Sequence, residues 1–218
     1  MVEWGRLVWI RLKVMSNNID KLKYENEQLS LGYNLIAGAD EVGRGPLAGP
    51  VVCACVIMPL DDIIDGVDDS KKLSEKKREK LFDQIIQKAI AYSIEFVDES
   101  TIDELNILNA TKKCMAQAIN SMSVKPDICL VDAIDKLDTD VPLKGIIHGD
   151  ALSYNIGAAS ILAKVTRDRY MVEMDTLYPQ YGFAKHKGYG TKIHMQTLKD
   201  IGPCKIHRKS FIGFLGKV

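Results

Sequence analysis

Apolar and polar positions along the chain fall into short blocks whose period changes from one block to the next. Residues 35–40 form a brief apolar run that closes on an acid, Asp40, and predict a buried strand. Residues 51–58 are apolar throughout and bounded by prolines, a second buried strand. The glycine- and proline-rich segment between them predicts a tight turn that makes the two strands antiparallel neighbours. Residues 74–89 change to a helical period, with Ser74 as N-cap and Leu81, Phe82, Ile85, Ile86 and Ala89 on one face. Alternation returns at 91–97 and predicts a strand. Helical patterning follows at 105–122, then short strands at 128–131 and 144–148. The span 153–177 predicts a long helix whose small residues Gly157, Ala158, Ala159 and Ser160 allow close approach to a sheet. A last helix covers 191–201 and closes at Gly202-Pro203, and a looser helical pattern at 18–31 ends at Gly32. Strands with interposed helices, then a helical C-terminal third, predict a mixed α/β domain with an attached helical region.

Composition bounds this picture. The 218 residues are 46% hydrophobic and 27% charged, enough for one large domain or a domain with an appendage. Formal net charge is zero, yet residues 161–218 carry 11 Lys or Arg against 4 Asp or Glu. A basic C-terminal part suits a polyanion, and a more acidic remainder suits metal ions, although surface charge is often merely uneven. The five cysteines are odd in number and lack C-x-x-C spacing, so neither a disulfide framework nor a zinc ribbon is expected. Cys53 and Cys55 read as core-facing thiols, and reduced thiols suit the cytoplasm. Residues 1–14 are too short to span a membrane and lack the pattern of a signal peptide; an extension upstream of a start at Met15 is expected.

Three predicted strand ends finish in acid: Asp40-Glu41, Asp132 and, after 144–148, Asp150. Convergent carboxylates repel one another and are commonly reconciled by hard divalent cations. Two Mg2+ or Mn2+ ions about 3.5–4 Å apart can activate water and stabilise the leaving oxygen of a phosphodiester. Taken singly, each acid reads as an ordinary turn residue, and spacing does not show that they meet. The acidic loop at 61–69 fails as a calcium loop, because Ile63 and Lys72 stand where ligands are needed.

The stretch from Ala39 through Asp40, Glu41, Val42, Gly43, Arg44, Gly45 and on to Pro50 strongly resembles the signature of the ribonuclease HII family. The resemblance continues, in order, through 69–74, 158–169, 181–192 and 206–211. Sister type III enzymes are similar but typically carry Lys where Arg44 stands. The resemblance implies the ribonuclease H-like fold, a central mixed five-stranded sheet flanked by helices with a C-terminal helical extension. Its domains would be an N-terminal extension and helix at 1–32 and a catalytic domain at 33–218, helical from about 178. It implies a two-metal-ion endonuclease, using Mn2+ or Mg2+, that cuts the RNA strand of RNA–DNA hybrids. Members also accept a single ribonucleotide embedded in duplex DNA and cut on its 5′ side, leaving 3′-hydroxyl and 5′-phosphate ends.

The resemblance maps the metal-binding and catalytic acids onto Asp40, Glu41, Asp132 and Asp150. It makes Gly43, Arg44 and Gly45 readers of the ribose 2′-hydroxyl, a task that suits glycine because backbone groups can approach a sugar unobstructed. Tyr189 becomes the partner of the sugar at the junction, and Lys164, Lys185, Lys187 and Lys192 candidates for backbone phosphates. Without the resemblance these would read as a hairpin turn, a loop aromatic and solvated lysines. Three positions depart from the pattern: His148 and Leu152 replace lysines around Asp150, and Ala133 replaces a glycine after Asp132. A proton-shuttling His148 and a surface His148 are both open. A monomer is expected. The rivals are a type III enzyme, another two-metal nuclease, and a hybrid-binding module without activity.

Overall fold

In the computed structural model, residues 21–134 and 136–216 are described; the expected upstream extension at 1–14 lies outside them. The first element is helix α1 (Lys23–Ser30), followed by strands β1 (Ile36–Val42) and β2 (Val51–Ile57). Helix α2 (Glu75–Lys88) leads to β3 (Ala91–Val97), and helices α3 (Glu99–Leu105) and α4 (Ile107–Asn120) lead to β4 (Ile128–Asp132). Then come β5 (Leu143–Ile146), α5 (Gly149–Leu152), the long α6 (Tyr154–Leu177), α7 (Phe183–His186) and α8 (Lys192–Ile201).

The strands form one five-stranded sheet in the order β3-β2-β1-β4-β5. β1 pairs antiparallel with β2 and parallel with β4, so the sheet is mixed, with β1 at its centre. The side-chain period of two sorts the sheet into two cores. Ala37, Ala39, Val51, Cys53 and Cys55 face α4, packing with Cys114, Met115 and Ala118. Val52, Ala54 and Val56 face α2 and α6, packing with Phe82, Ile85, Ala158, Ala159 and Leu162.

α6 lies against β1 because Gly38 leaves room for it. A Cβ there would stand 2.2 Å from the backbone carbon of Asn155. The small-residue run meets its neighbours differently: Ala158 and Ala159 face the sheet core, while Gly157 clears the Asp150 carbonyl. Asn155 closes the contact, donating to Ile36 O at 2.9 Å and accepting from Met58 N at 3.1 Å. α1 plugs the start of α6, since buried Glu25 Oε1 accepts from Ser153 Oγ (2.6 Å) and Asn155 N (3.0 Å).

The helix expected over 105–122 begins later and is preceded by α3. Asn106 adopts φ 66° and caps α4 by accepting from Leu108 N and Asn109 N, so the chain breaks there into two helices. The strand expected over 144–148 ends at Ile146. His148 turns left-handed at φ 59° and starts α5, which places Asp150 on a helical turn rather than at a strand end.

The C-terminal lobe has its own small core of Met171, Tyr181, Phe183, Leu198 and Ile212. Three histidines run through it. Cys204 N–H donates to His207 Nδ1 (2.9 Å), His207 Nε2 meets His194 Nε2 (3.0 Å), and His194 Nδ1 meets Tyr189 O (2.9 Å). Only one tautomer set satisfies all three: His207 donates through Nε2 and His194 through Nδ1, both rings neutral. His186 stacks on His194 at 4.4 Å between ring centroids. Among the described residues no helix is long and apolar enough to cross a membrane.

Candidate active site

Asp40 and Glu41 are neighbours on the central strand, one and two residues beyond the last β1–β4 pair, Ala39 with Val131. Asp132 closes β4 beside them. Asp132 Oδ1 accepts from Gly149 N at 2.8 Å, which docks the start of α5 onto the rim and brings Asp150 alongside. The four sequence-predicted acids therefore gather at one end of the sheet.

Their electrostatics register that gathering. Burial pushes the Asp40 carboxyl well above the usual carboxylate range, and Glu41 and Asp132 push it further, against a hydrogen bond from Ser160. Glu41 is raised by burial and by Asp132, against Arg44. Asp132 is raised by burial and by Asp150, against the Gly149 N–H, Lys71 and His148. Each carboxylate thus makes its neighbour harder to ionise, the mark of too little positive charge.

Two side-chain cations answer in part. Lys71 Nζ lies 3.4 Å from Asp150 Oδ2, and Arg44 Nη1 lies 3.6 Å from Glu41 Oε1. Burial lowers the Lys71 ammonium's proton affinity, but Asp40, Asp150 and Asp69 outweigh it and leave its pKa raised. Among the described residues no group of three or more His, Cys, Asp or Glu side chains stands as it would to hold a metal ion. The donors are nevertheless all carboxylate oxygens, mutually repelling and short of positive charge, and such a set fits hard divalent cations.

The Gly43–Gly45 turn follows directly from β1. Gly43 takes φ +98°, and a Cβ there would stand 2.5 Å from Arg167 Nε, so the turn requires glycine. Gly43 is buried, while Arg44 and Gly45 are exposed. Tyr189 meets this turn: its Cε1 lies 3.7 Å from where a Gly45 Cβ would be, and Leu47 N donates to Gly188 O at 2.8 Å. The structure brings Tyr189, Gly43, Arg44 and Gly45 together with the acids through the Arg44–Glu41 contact.

The lysines are dispersed. Lys164 is mostly buried and paired with Asp168 at 2.7 Å, so it can meet a phosphate only by leaving that partner. Lys187 bonds the Ala184 carbonyl, and Lys185 and Lys192 are exposed. Residue patterning alone left four contributors unassigned: Lys71, Ser160, and the fully buried Arg167 and Arg208 beneath the turn. All four lie inside motif stretches, but nothing in their spacing says where they point.

The family model for ribonuclease HII matches residues 37–213. A ribonuclease HII of Acetivibrio thermocellus is 54% identical over 199 residues, covering 91% of this chain and 78% of that protein. One from Caldicellulosiruptor saccharolyticus is 54% identical over 200 residues, covering 91% and 98%. Among solved structures, the ribonuclease H2 of Pyrococcus horikoshii OT3 superposes with TM-score 0.68 at 31% identity, covering 81% of this chain and 93% of that one. The mixed five-stranded sheet with its helical C-terminal region is therefore the ribonuclease H-like fold. The acid rim, the glycine turn beside it and a family match across most of the chain agree: the chain belongs to the ribonuclease HII family, a family of metal-dependent endonucleases.

Proposed function

We propose that this protein hydrolyses the RNA strand of RNA–DNA hybrids and cuts duplex DNA on the 5′ side of a single embedded ribonucleotide, leaving 3′-hydroxyl and 5′-phosphate ends. It would act as a monomer in the cytoplasm, in keeping with its free cysteine thiols. The observation that carries the reading is the placement of the Gly43–Gly45 turn against four gathered carboxylates.

Asp40, Glu41, Asp132 and Asp150 would hold a pair of divalent cations, Mg2+ or Mn2+. When bound, these supply water activation and neutralisation of charge on the phosphate. The Gly149 N–H orients Asp132 by a hydrogen bond, and Ser160 favours the charged form of Asp40. Lys71 adds a fixed positive charge beside Asp150, where the family's usual lysines are replaced by His148 and Leu152. The backbone of Gly43, Arg44 and Gly45 reads the 2′-hydroxyl, and exposed Tyr189 packs on the sugar at the RNA-to-DNA junction. No side-chain nucleophile is needed.

The test is cleavage of a DNA duplex holding one ribonucleotide, with end mapping and Mg2+ or Mn2+ varied. A cut 5′ of the ribonucleotide is expected, together with loss of at least 1000-fold in Asp40→Asn, as is usual when a charge-stabilising group is removed (roughly 4 kcal/mol). Cutting elsewhere, or near-normal turnover by that variant, rejects the assignment.

A further inference from the structure

Arg208 and Arg167 are both fully buried, yet among the described residues neither forms an ion pair within 4 Å; Arg208 donates to backbone carbonyls of the reading turn and of Gly49, Arg167 to carbonyls of the flanking segments. Arg208 Nη2 donates to Gly43 O (2.6 Å) and Nη1 to Arg44 O (3.2 Å), while Nε and Nη2 both reach Gly49 O (2.9 and 2.6 Å). Arg167 donates to Pro50 O (2.9 Å), Ala48 O (3.0 Å) and Lys187 O (3.0 Å), the last on the loop that carries Tyr189.

The consequence follows from peptide geometry. Peptide bonds among the described residues are trans, so a carbonyl and the N–H of the next residue point in opposite directions. Drawing the Gly43 and Arg44 carbonyls down onto Arg208 turns the N–H groups of Arg44 and Gly45 up, toward the exposed face. We propose that Arg208 is the positioning residue that sets this turn's outward N–H pair for an oxygen of the ribonucleotide, and that Arg167 fixes the turn's spacing from Tyr189. Burying two guanidiniums side by side is costly, which argues against a mere space-filling role. Their positive charge beneath the N–H pair adds to its pull on a negative or electron-rich oxygen.

This inference rests on the proposed 2′-hydroxyl reading, so its test includes a measurement that needs no substrate. Arg208→Lys keeps charge and stem but loses the fork; Arg208→Met loses both. Hydrogen–deuterium exchange should speed up in residues 43–49 of Arg208→Lys and stay unchanged in β1 and β4. On the one-ribonucleotide duplex, kcat/KM should fall at least 10-fold, while Kd for plain duplex DNA stays within twofold. Unchanged exchange and unchanged kcat/KM in a folded Arg208→Lys overturn the proposal. So does loss of cooperative unfolding in both variants, since the arginine would then brace the entire fold. If the unsubstituted protein fails to cut at the ribonucleotide, the proposed function falls and the exchange result alone judges the clamp.

Discussion

Ala133 holds its backbone at φ +51°, in the left-handed region that costs a residue with a Cβ about 1 kcal/mol. It directly follows Asp132, where the family pattern has glycine, so the departure noted from the sequence has a geometric meaning. Ala133→Gly should release most of that strain, against some entropic loss, and raise stability by up to about 1 kcal/mol, or a few degrees in Tm. Thermal melts measure this, and a lowered Tm would show that the residue is not strained. Asp40, Glu41 and Asp132 were singled out by the family resemblance; acid at the end of an apolar run marks such positions but, taken singly, reads as an ordinary turn residue. Lys71 was not singled out, because its role depends on a contact with Asp150 across 79 residues of chain.

Elements were most legible where local chemistry specifies their ends. Ser74, Ser153 and Thr191 each cap the helix that follows by accepting a backbone N–H, and the patterns placed those starts within a residue. The misses have equally local causes. Asn106 and His148 both carry positive φ, which hydrophobic periodicity does not register, and each cuts a run short. The contact of β1 with α6 depends on one missing side chain, and tertiary proximity of that kind leaves no periodic trace. Gly38→Ala would drive its Cβ to 2.2 Å from rigid helix backbone. A loss of about 3 kcal/mol or more is expected in chemical denaturation; a loss under 0.5 kcal/mol would mean that α6 can shift freely. Because α6 also carries Ser160 and Arg167, activity should drop with stability.

Across the molecule, zero net charge conceals a division of labour, with carboxylates at the sheet rim and a basic C-terminal lobe. That lobe contains the neutral histidine chain behind Tyr189. Burial and the neighbouring His194 lower His207 from 6.5 to about 4. A histidine depressed on folding contributes stability that is whole above its unfolded pKa and is lost as pH falls toward its folded one. His207 therefore stops contributing roughly 3 kcal/mol between about pH 6.5 and pH 4. The raised acids at the rim work in the opposite sense, since their protonation relieves repulsion and partly offsets the loss. Ring-nitrogen NMR isolates the histidine: a His207 midpoint near pH 6.5 would contradict the buried chain of rings.

The grip of Arg208 on Gly43 spans 165 residues. A ribosome thus synthesises all four rim acids well before it adds the guanidinium proposed to orient the amides beside them. A chain caught midway through synthesis would hold those acids without the brace proposed for the turn beside them.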